Sequence, residues 1–137
     1  MSIHQPVNDG TLSEKLVQLV TDMNKWKPHI EKAMKSANNS HTFDDILRDV
    51  LNNRVHFYDL GDCCVLMLVE NYPQHSVYHC FIACGAMQAI VDAEPMIRAN
   101  AKELGCKYMT ITGRTGWPKA LKKHGWHHSL STLYKEV

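Results

Sequence analysis

Apolar residues in the first third of the chain recur at helical spacing. The segment TLSEKLVQLVTDMNKW (11–26) places a leucine-rich stripe along one face of a helix. Pro28, a residue suited to the first position of a helix, predicts that a second helix begins there. A third, short helix is predicted from Thr42, where a threonine precedes an apolar-periodic run. Residues 1–53 are therefore expected to be a mainly helical N-terminal part.

After this helical part the apolar period changes to that of β-strands. The stretches RVHFYDL (54–60), CCVLMLVENY (63–72) and VYHCFIAC (77–84) are rich in β-branched, aromatic and other apolar residues, and turn residues separate them. Strands joined by such short connections pair with their sequence neighbours in opposite directions. The pattern predicts an antiparallel meander of three strands.

A helix and a further strand follow the meander. In AEPMIRANAKELGC (93–106), apolar residues at helical spacing, Pro95 in the first turn and a glycine stop predict a helix. The segment KYMTITG (107–113) then returns as a strand. Because a whole helix lies between strands 77–84 and 107–113, these two are expected to run parallel with a right-handed crossover.

The remaining segment predicts a short helix and a last strand. Pro118 suits the start of the helix and Gly125 its end, after which Trp126 is expected to enter the core. The alternating run HHSLSTLYKEV (127–137) predicts a final strand or one half of a hairpin. The predicted fold class is α+β, a three-layer single domain spanning 1–137 whose mixed sheet and two helices occupy 54–137.

Composition excludes several classes of function. Hydrophobic residues make up 45% and charged residues 21% of the chain, which is ordinary for a globular protein. A formal net charge of +1 does not favour a nucleic-acid partner. The apolar run Cys63–Val69 is too short to span a membrane, and the N-terminus has no apolar leader. The five cysteines lie in apolar stretches and are expected to stay reduced, in a cytoplasmic location.

Two pairs of possible metal ligands have numerically suitable spacing. Cys80 and Cys84 are four residues apart, as are His124 and His128. Residues four apart on a strand lie roughly 13 Å from one another, too far to share one ion. No metal site is therefore predicted. Arg114, flanked by glycine at a strand end, could bind an anion or pair with a structural carboxylate, and the sequence leaves both open.

The order of elements and several short motifs together resemble a known family. The most specific motif is GRTGW (113–117), followed by GW (125–126) and LYKEV (133–137). The chain resembles the GNAT superfamily of N-acetyltransferases, and within it the small GNAT-like proteins encoded by tailed bacteriophages. Other matching stretches are HTFDDI (41–46), ENYPQ (70–74), ACGAM (83–87) and ELGCK (103–107).

The resemblance implies a site in which the two parallel strands splay and admit the pantetheine arm of acetyl-CoA. The N-terminus of the following helix then receives the pyrophosphate. The cofactor-binding candidates are Ile82, Ala83, Cys84, Gly85, Ala86, Met87 and Arg114. The candidates for proton transfer to or from an amine substrate are Glu70, His79, His124 and Tyr134.

The sequence departs from the family pattern in two places. The region CGAMQAIVDAEP (84–95) has one glycine and no arginine where the family has an Arg/Gln-x-x-Gly-x-Gly/Ala loop. Asp92 and Glu94, expected near the helix start, would repel a pyrophosphate there, and Pro95 would remove a donor. Leu121 stands where many members place a tyrosine that protonates the departing thiolate.

Two hypotheses follow from the resemblance and the departures. The first is an acyl-CoA-dependent N-acyltransferase with a degenerate cofactor loop. The second is a catalytically inactive phage protein with a GNAT fold, which would act in the host cytoplasm on a phage or host protein, in virion assembly, morphogenesis or host interaction. If Met87, Met109 and Trp117 fill the gap between strands 77–84 and 107–113, no thioester can enter it, and the first hypothesis is excluded.

Overall fold

The computed structural model describes the backbone of residues 2–3 and the residues 11–113 and 117–137 in full. Its helices and strands follow one another along the chain without a break into separate units. They are β1 (Ser2–Ile3), α1 (Leu12–Ser36), α2 (Phe43–Leu51), β2 (His56–Asp59), β3 (Cys63–Asn71), β4 (Ser76–Gly85), α3 (Met87–Glu103), β5 (Tyr108–Ile111) and α4 (Trp117–Lys122).

The five strands form one mixed sheet in the order β1-β2-β3-β4-β5. The pairs β1–β2, β2–β3 and β3–β4 are antiparallel, and β4 and β5 are parallel. The predicted meander and the predicted parallel pair are thereby confirmed. β1 was not predicted, because two residues that hydrogen-bond to an edge strand leave no apolar period in the sequence.

Helices cover both faces of this sheet and make the three predicted layers. α1 and α2 pack on one face, against the side chains of Phe57, Cys64, Leu66, Ile82 and Cys84. α3 packs on the other face, against Tyr58, Val65, Met67, Tyr78 and Cys80. β3 contributes to both cores, which explains why its sequence is apolar without alternation.

α1 is a single helix of 25 residues, so the prediction that a second helix begins at Pro28 is wrong. Pro28 lies inside the helix and forfeits one backbone hydrogen bond. The buried residues Trp26 and Ile30 lie on either side of the proline on the same core-facing stripe. A break at this point would take that stripe off the sheet, and packing therefore outweighs the lost hydrogen bond.

The N-terminus of α2 was predicted correctly. The Thr42 side chain accepts a hydrogen bond from the Asp45 N–H at 3.1 Å, and the Asp45 carboxylate accepts one from the Thr42 N–H at 2.9 Å. This reciprocal capping satisfies two backbone donors that the helix itself leaves unpaired. A local motif of this kind can be recognised in sequence because it needs no tertiary partner.

α3 begins at Met87, six residues before its predicted start at Ala93. Pro95 therefore lies in the middle of the helix and not in its first turn. Methionine, glutamine and alanine in the preceding stretch are good helix formers, and they extend the helix back to the end of β4. The acidic residues Asp92 and Glu94 are consequently well inside the helix.

Residues 127–137 form no strand in the structure, so the predicted final strand or hairpin half is wrong. Leu130 is 87% exposed and Leu133 is 92% exposed. Trp126 is only half-buried, and its indole N–H donates to Glu94 of α3 at 2.9 Å rather than entering the core of the sheet. An alternating pattern specifies a strand only where a neighbouring strand supplies hydrogen bonds.

All five cysteines are present as thiols, and Cys63, Cys64, Cys80 and Cys84 are buried. Among the residues that the structure describes, no helix has both the length and the apolar character needed to cross a bilayer.

Candidate active site

β4 and β5 pair over only four residues and then separate. Their register runs from Val77 opposite Tyr108 to Cys80 opposite Ile111. Beyond Cys80, β4 continues to Gly85 while hydrogen-bonded to β3 alone. Within the described part of the chain, the β5 side of this last stretch is open, and the alternate backbone groups of a strand point to that side. The stretch of β4 beyond Cys80, along which β5 does not pair with it, lies where the resemblance implies a cleft and is called the cleft below.

A β-bulge interrupts the pairing of β3 and β4. Leu66 of β3 lies opposite Ile82 of β4 and Met67 lies opposite Cys80, which leaves Phe81 as an extra residue on β4. A bulge bends its strand and increases the local twist. Phe81 follows directly after Cys80, the last residue that pairs with β5, so the bulge coincides with the end of that pairing.

A cavity of about 260 Å³ lies beside the cleft, between α3, the end of β5 and α4. Trp117 lines this cavity and packs on Gly113, where an added Cβ would be 2.8 Å from the indole ring. Met87, at the start of α3, is partly exposed, and Met109 packs on the α3-side core. Its lining is Ile90, Val91, Glu94, Pro95, Ile111, Trp117, Leu121, His124 and Trp126.

A polar group lies at the point where the two strands part. The Nδ1 atom of His79 is 2.8 Å from the Thr110 hydroxyl, and its Nε2 atom is 3.3 Å from the Thr112 hydroxyl. A carboxylate oxygen of Glu70 lies 4.0 Å from Nε2. The other oxygen of Glu70 accepts a hydrogen bond from the Tyr72 hydroxyl at 2.7 Å. Three adjacent strands therefore hold one imidazole in a defined orientation.

Burial determines the charge of this imidazole. The side chain of His79 is 16% exposed, and burial lowers its pKa below the ordinary value of 6.5, although the nearby Glu70 acts in the opposite direction. The ring is therefore neutral near pH 7 and able to accept a proton. A half-buried, neutral histidine at the mouth of a cleft has the properties of a general base.

The chain was compared with known families, curated proteins and solved structures. No protein-family model matches the sequence, and no curated protein matches it significantly. The solved structure of a probable acetyltransferase superposes with a TM-score of 0.63, over 100% of this chain and 97% of the other, at 10% identity. This chain shares the fold of that probable acetyltransferase.

Two further solved structures share that acetyltransferase fold. A possible acetyltransferase from Clostridium difficile 630 superposes with a TM-score of 0.54 at 8% identity, over 85% of this chain and 91% of the other. An aminoglycoside acetyltransferase from an uncultured soil metagenomic sample, in complex with sisomicin, superposes with a TM-score of 0.54 at 8% identity, over 84% and 91%. Identities this low establish the fold and leave the chemistry to the residues of this chain.

The four proton-transfer candidates occupy different parts of the acetyltransferase fold. Glu70 and His79 come together at the cleft mouth. His124 lies on the other side of the sheet and lines the cavity beside α3. Tyr134 is 74% exposed, in the segment that follows Trp126. Leu121 of α4 is buried.

Two residues that position His79 were not among the predicted site residues. Thr110 and Thr112 are two apart on and just beyond β5, and two residues at that spacing point to the same face of a sheet. The alternation of threonines in TIT (110–112) is visible in the sequence. Only the parallel register, which places Thr110 beside His79, shows that these threonines contact the imidazole.

The cofactor-binding candidates follow the end of β4 into α3. Ile82 and Cys84 are buried in the core beneath α1 and α2, whereas Ala83 packs on the α3 side. Gly85 has a φ of +104° and ends the strand, and Ala86 is the N-cap of α3. The remaining candidates are Met87, the first residue of α3, and Arg114, which lies outside the described residues.

The start of α3 has the properties of an anion site. Its first turn contains no acidic residue, and no side chain caps it. The expectation that Asp92 and Glu94 repel a pyrophosphate at the helix start is therefore wrong. The Ala86 N–H is bonded to the Asp62 carbonyl, but the N–H groups of Met87 and the next two residues have no acceptor within the helix. These groups and the helix dipole favour an anion.

A second polar cluster lies beneath α3, on the opposite face of the sheet from His79. Asn100 of α3 donates to the Tyr58 hydroxyl at 3.1 Å, which lies 2.8 Å from the Tyr78 hydroxyl. The Tyr78 hydroxyl lies 2.5 Å from Nδ1 of His56. The chain of contacts links Asn100 to His56 through two hydroxyls, each of which can donate and accept.

The His56 cluster predicts a pH-dependent stability. Burial lowers the pKa of His56 below its ordinary 6.5, so its contribution is complete above that value and is lost as the pH falls toward the folded-state pKa. We expect the free energy of unfolding, from urea titrations between about pH 8 and about pH 5, to decrease with acidification. In His56→Gln, whose side chain can still hydrogen-bond to Tyr78, the free energy of unfolding should decrease less over this pH range. In His29→Gln, which alters an exposed histidine and serves as the control, the decrease should equal that of the wild type.

Proposed function

We propose that this chain is an acyl-CoA-dependent N-acyltransferase, which transfers the acyl group of acetyl-CoA to an amine. The observation that carries the proposal is the neutral His79 at the point where β4 and β5 part. A base at this point can reach an amine that approaches a thioester held in the cleft. Residues 1–137 are proposed to act as one domain, because all the strands that form the cleft belong to one sheet.

Three parts of the chain would hold acetyl-CoA, which when bound supplies an activated acyl thioester. The first-turn amides of α3, from Met87 onward, fit the pyrophosphate. The end of β4, which pairs with β3 but not with β5 beyond Cys80, fits the pantetheine arm, because an extended chain can bond to a strand edge as an added strand does. Arg114, outside the described residues, is proposed as a further phosphate contact.

The polar group at the cleft mouth supports a definite proton path. With its Nδ1–H donated to the Thr110 hydroxyl, His79 presents the Nε2 lone pair as the acceptor for the proton of the amine. Glu70, 4.0 Å from Nε2, stabilises the imidazolium that results and attracts the substrate in its ammonium form. His124 in the cavity is proposed to protonate the departing sulfur, because Leu121 cannot.

A second candidate function is favoured by Leu121 alone. A buried leucine at the position of the family's proton donor is what a scaffold without catalysis would show. On this alternative the protein serves a phage in virion assembly, morphogenesis or host-protein interaction. The two candidates differ in whether acetyl-CoA binds.

Acetyl-CoA is expected to stabilise the folded protein. At about 100 times its dissociation constant, a ligand specific for the folded state adds about 2.7 kcal/mol to the free energy of unfolding. This is measurable by urea titration with and without acetyl-CoA. An absence of any increase at millimolar acetyl-CoA would overturn the enzyme proposal and leave the scaffold role.

One substitution tests the helix start specifically. Met87→Pro removes one first-turn N–H, and proline is well tolerated at the first helical position. Ala86 has φ −71° and ψ 127°, an extended conformation that a following proline permits. We expect weaker acetyl-CoA binding with little change in stability. An unchanged affinity for acetyl-CoA would show that the pyrophosphate does not bind at the start of α3.

A further inference from the structure

Three aromatic rings form a cluster beside the turn that joins β3 to β4. The ring centroid of His75 lies 5.9 Å from that of Tyr72 and 5.2 Å from that of Tyr108, the second contact being edge-on. Tyr72 is 52% exposed and Tyr108 is 51% exposed. These three residues are called the aromatic cluster below. Large rings that pack on one another and still face solvent indicate a binding surface.

Backbone hydrogen bonds hold the aromatic cluster in position. The Tyr72 N–H donates to the His75 carbonyl at 2.8 Å and so closes the turn between β3 and β4. The Lys107 N–H donates to the Ser76 carbonyl at 2.8 Å and so ties the residue before Tyr108 to the start of β4. Because the rings are carried by the sheet and by a closed turn, a ligand that binds them has little backbone to order.

The aromatic cluster is continuous with the polar group around His79. The Tyr72 hydroxyl donates to one oxygen of Glu70 at 2.7 Å, and the other oxygen of Glu70 lies 4.0 Å from Nε2 of His79. Tyr108 is two residues before Thr110 on β5, and the Thr110 hydroxyl is 2.8 Å from Nδ1 of His79. Residues two apart on a strand share a face and are separated by roughly 7 Å. The rings and the imidazole therefore lie side by side on one face of the sheet.

The charges around the aromatic cluster restrict the ligand that it suits. At the end beside His79, the Glu70 carboxylate attracts an ammonium group. At the other end, the ammonium nitrogen of Lys107 lies 5.4 Å from the centroid of the Tyr108 ring, a cation–π contact. A second cation on this ring would be repelled by Lys107. The surface is thus complementary to a molecule with one positive end and a neutral ring.

We propose that the acceptor is an arylalkylamine, a primary amine joined by a short alkyl chain to a neutral aromatic ring, and that the aromatic cluster binds this ring. The inference rests on the proposed acyltransferase function and adds the class of acceptor. With the amine beside His79 and Glu70, a linker that spans roughly 7 Å places the ring against Tyr108. Tyr72, His75 and Tyr108 are then residues that determine specificity.

The reaction that follows is an amide synthesis. The amine nitrogen bonds to the acyl carbon as the carbon–sulfur bond breaks, the proton of the amine passes to His79, and CoA leaves as the free thiol. The ring takes no part in these bond changes, and its contact with the aromatic cluster holds the nitrogen in place while they occur.

The first test compares kcat/KM for phenethylamine and for cyclohexylethylamine, which has nearly the same shape but no π-face, with acetyl-CoA as the donor. We expect phenethylamine to be preferred by about 10-fold, as contacts between aromatic rings provide. In Tyr108→Ala, which alters a half-exposed ring, this ratio should fall to about one. Tyr108→Phe keeps the ring and should keep the ratio. Leu12→Ala, a control at a residue of α1 that is 68% exposed, should keep it too.

The outcomes separate the class of acceptor from the acyl transfer itself. A ratio near one in the wild type, or an equal preference for a diamine of the same length, would overturn this inference and leave the acyltransferase function standing. If acetyl-CoA binds and no amine at all is acylated, the acyltransferase function fails and the inference fails with it.

The second test measures binding of the amine without turnover. Phenethylamine is added to the protein in the absence of acetyl-CoA, and the ring resonances of the tyrosines and histidines are followed by NMR. We expect saturable shifts at Tyr72, His75 and Tyr108, and no shift at Tyr134, a tyrosine outside the cluster that is 74% exposed. Shifts at Tyr134 equal to those at the cluster, or none at the cluster, would overturn the inference.

Discussion

Replacing His79 with alanine is expected to lower kcat/KM for acyl transfer by about 100- to 10,000-fold, the usual contribution of a general base. The half-buried imidazole is the group at the cleft mouth that is neutral and held by hydroxyls on two sides. The measurement is the release of free thiol from acetyl-CoA in the presence of a panel of small primary amines. The fold of the variant is checked by its urea midpoint.

The matched control for this loss is His29→Ala, which removes an exposed histidine on α1. It should retain wild-type kcat/KM. The pH profile adds a second readout: Glu70→Gln removes a charge that raises the pKa of His79, so the acid limb of kcat/KM should move to lower pH. Wild-type activity in a folded His79→Ala variant would show that another group takes the proton.

Gly85→Ala is expected to cause the largest loss of stability of any glycine substitution in the described residues. A Cβ at this position would lie 2.3 Å from the Asp62 carbonyl oxygen and 2.7 Å from the Cys63 Cα, and φ is +104°. Both neighbours are backbone atoms and cannot rotate away. We expect a decrease of about 3 kcal/mol in the free energy of unfolding, from the left-handed conformation and the overpacking together. Urea titration measures it.

Gly61→Ala separates these two contributions. Gly61 also has a positive φ, +82°, but an added Cβ would meet nothing within 4 Å. We expect Gly61→Ala to lower the free energy of unfolding only by the conformational cost of about 1–2 kcal/mol. Equal losses in the two variants would mean that the contact of Gly85 with Asp62 does not hold the end of β4 in place. Because Gly85 immediately precedes the N-cap of α3, its variant should also bind acetyl-CoA more weakly.

The sequence predicted those elements whose determinants are local. Thr42 marks the start of α2 because its capping partner lies three residues away. The parallel pairing of β4 and β5 was predictable because a whole helix lies between them and a crossover has one preferred hand. Both predictions depend on chain connectivity and short-range hydrogen bonds, which the order of residues specifies directly.

The incorrect predictions arose where packing outweighs a local preference. Pro28 and Pro95 each suggested a helix start, yet each lies inside a helix whose buried stripe continues across it. Because α3 begins at Met87, Asp92 and Glu94 lie beyond its first turn. The expected repulsion of a pyrophosphate at the helix start therefore does not arise. The alternating segment 127–137 suggested a strand, but a strand needs a partner that this chain does not place beside it.

For the candidate site, the sequence and its family resemblance named Glu70 and His79 but could not show that they meet. Their separation of 4.0 Å, and the two threonines that orient the ring, follow from the register of three strands. The bulge at Phe81, which lies where β4 stops pairing with β5, was not predicted from the sequence either.

The amino-acid sequence by itself determined the main helices and strands, the capping of α2 and the mixed character of the sheet. It also supplied Glu70 and His79 as candidate site residues. Periodicity, capping and crossover handedness act over a few residues or along the chain, so they are visible in one dimension. Only the tertiary structure decided which helices continue through proline, where the cleft opens and which side chains face one another. Those outcomes depend on burial and on strand register, and both arise from residues far apart in the sequence.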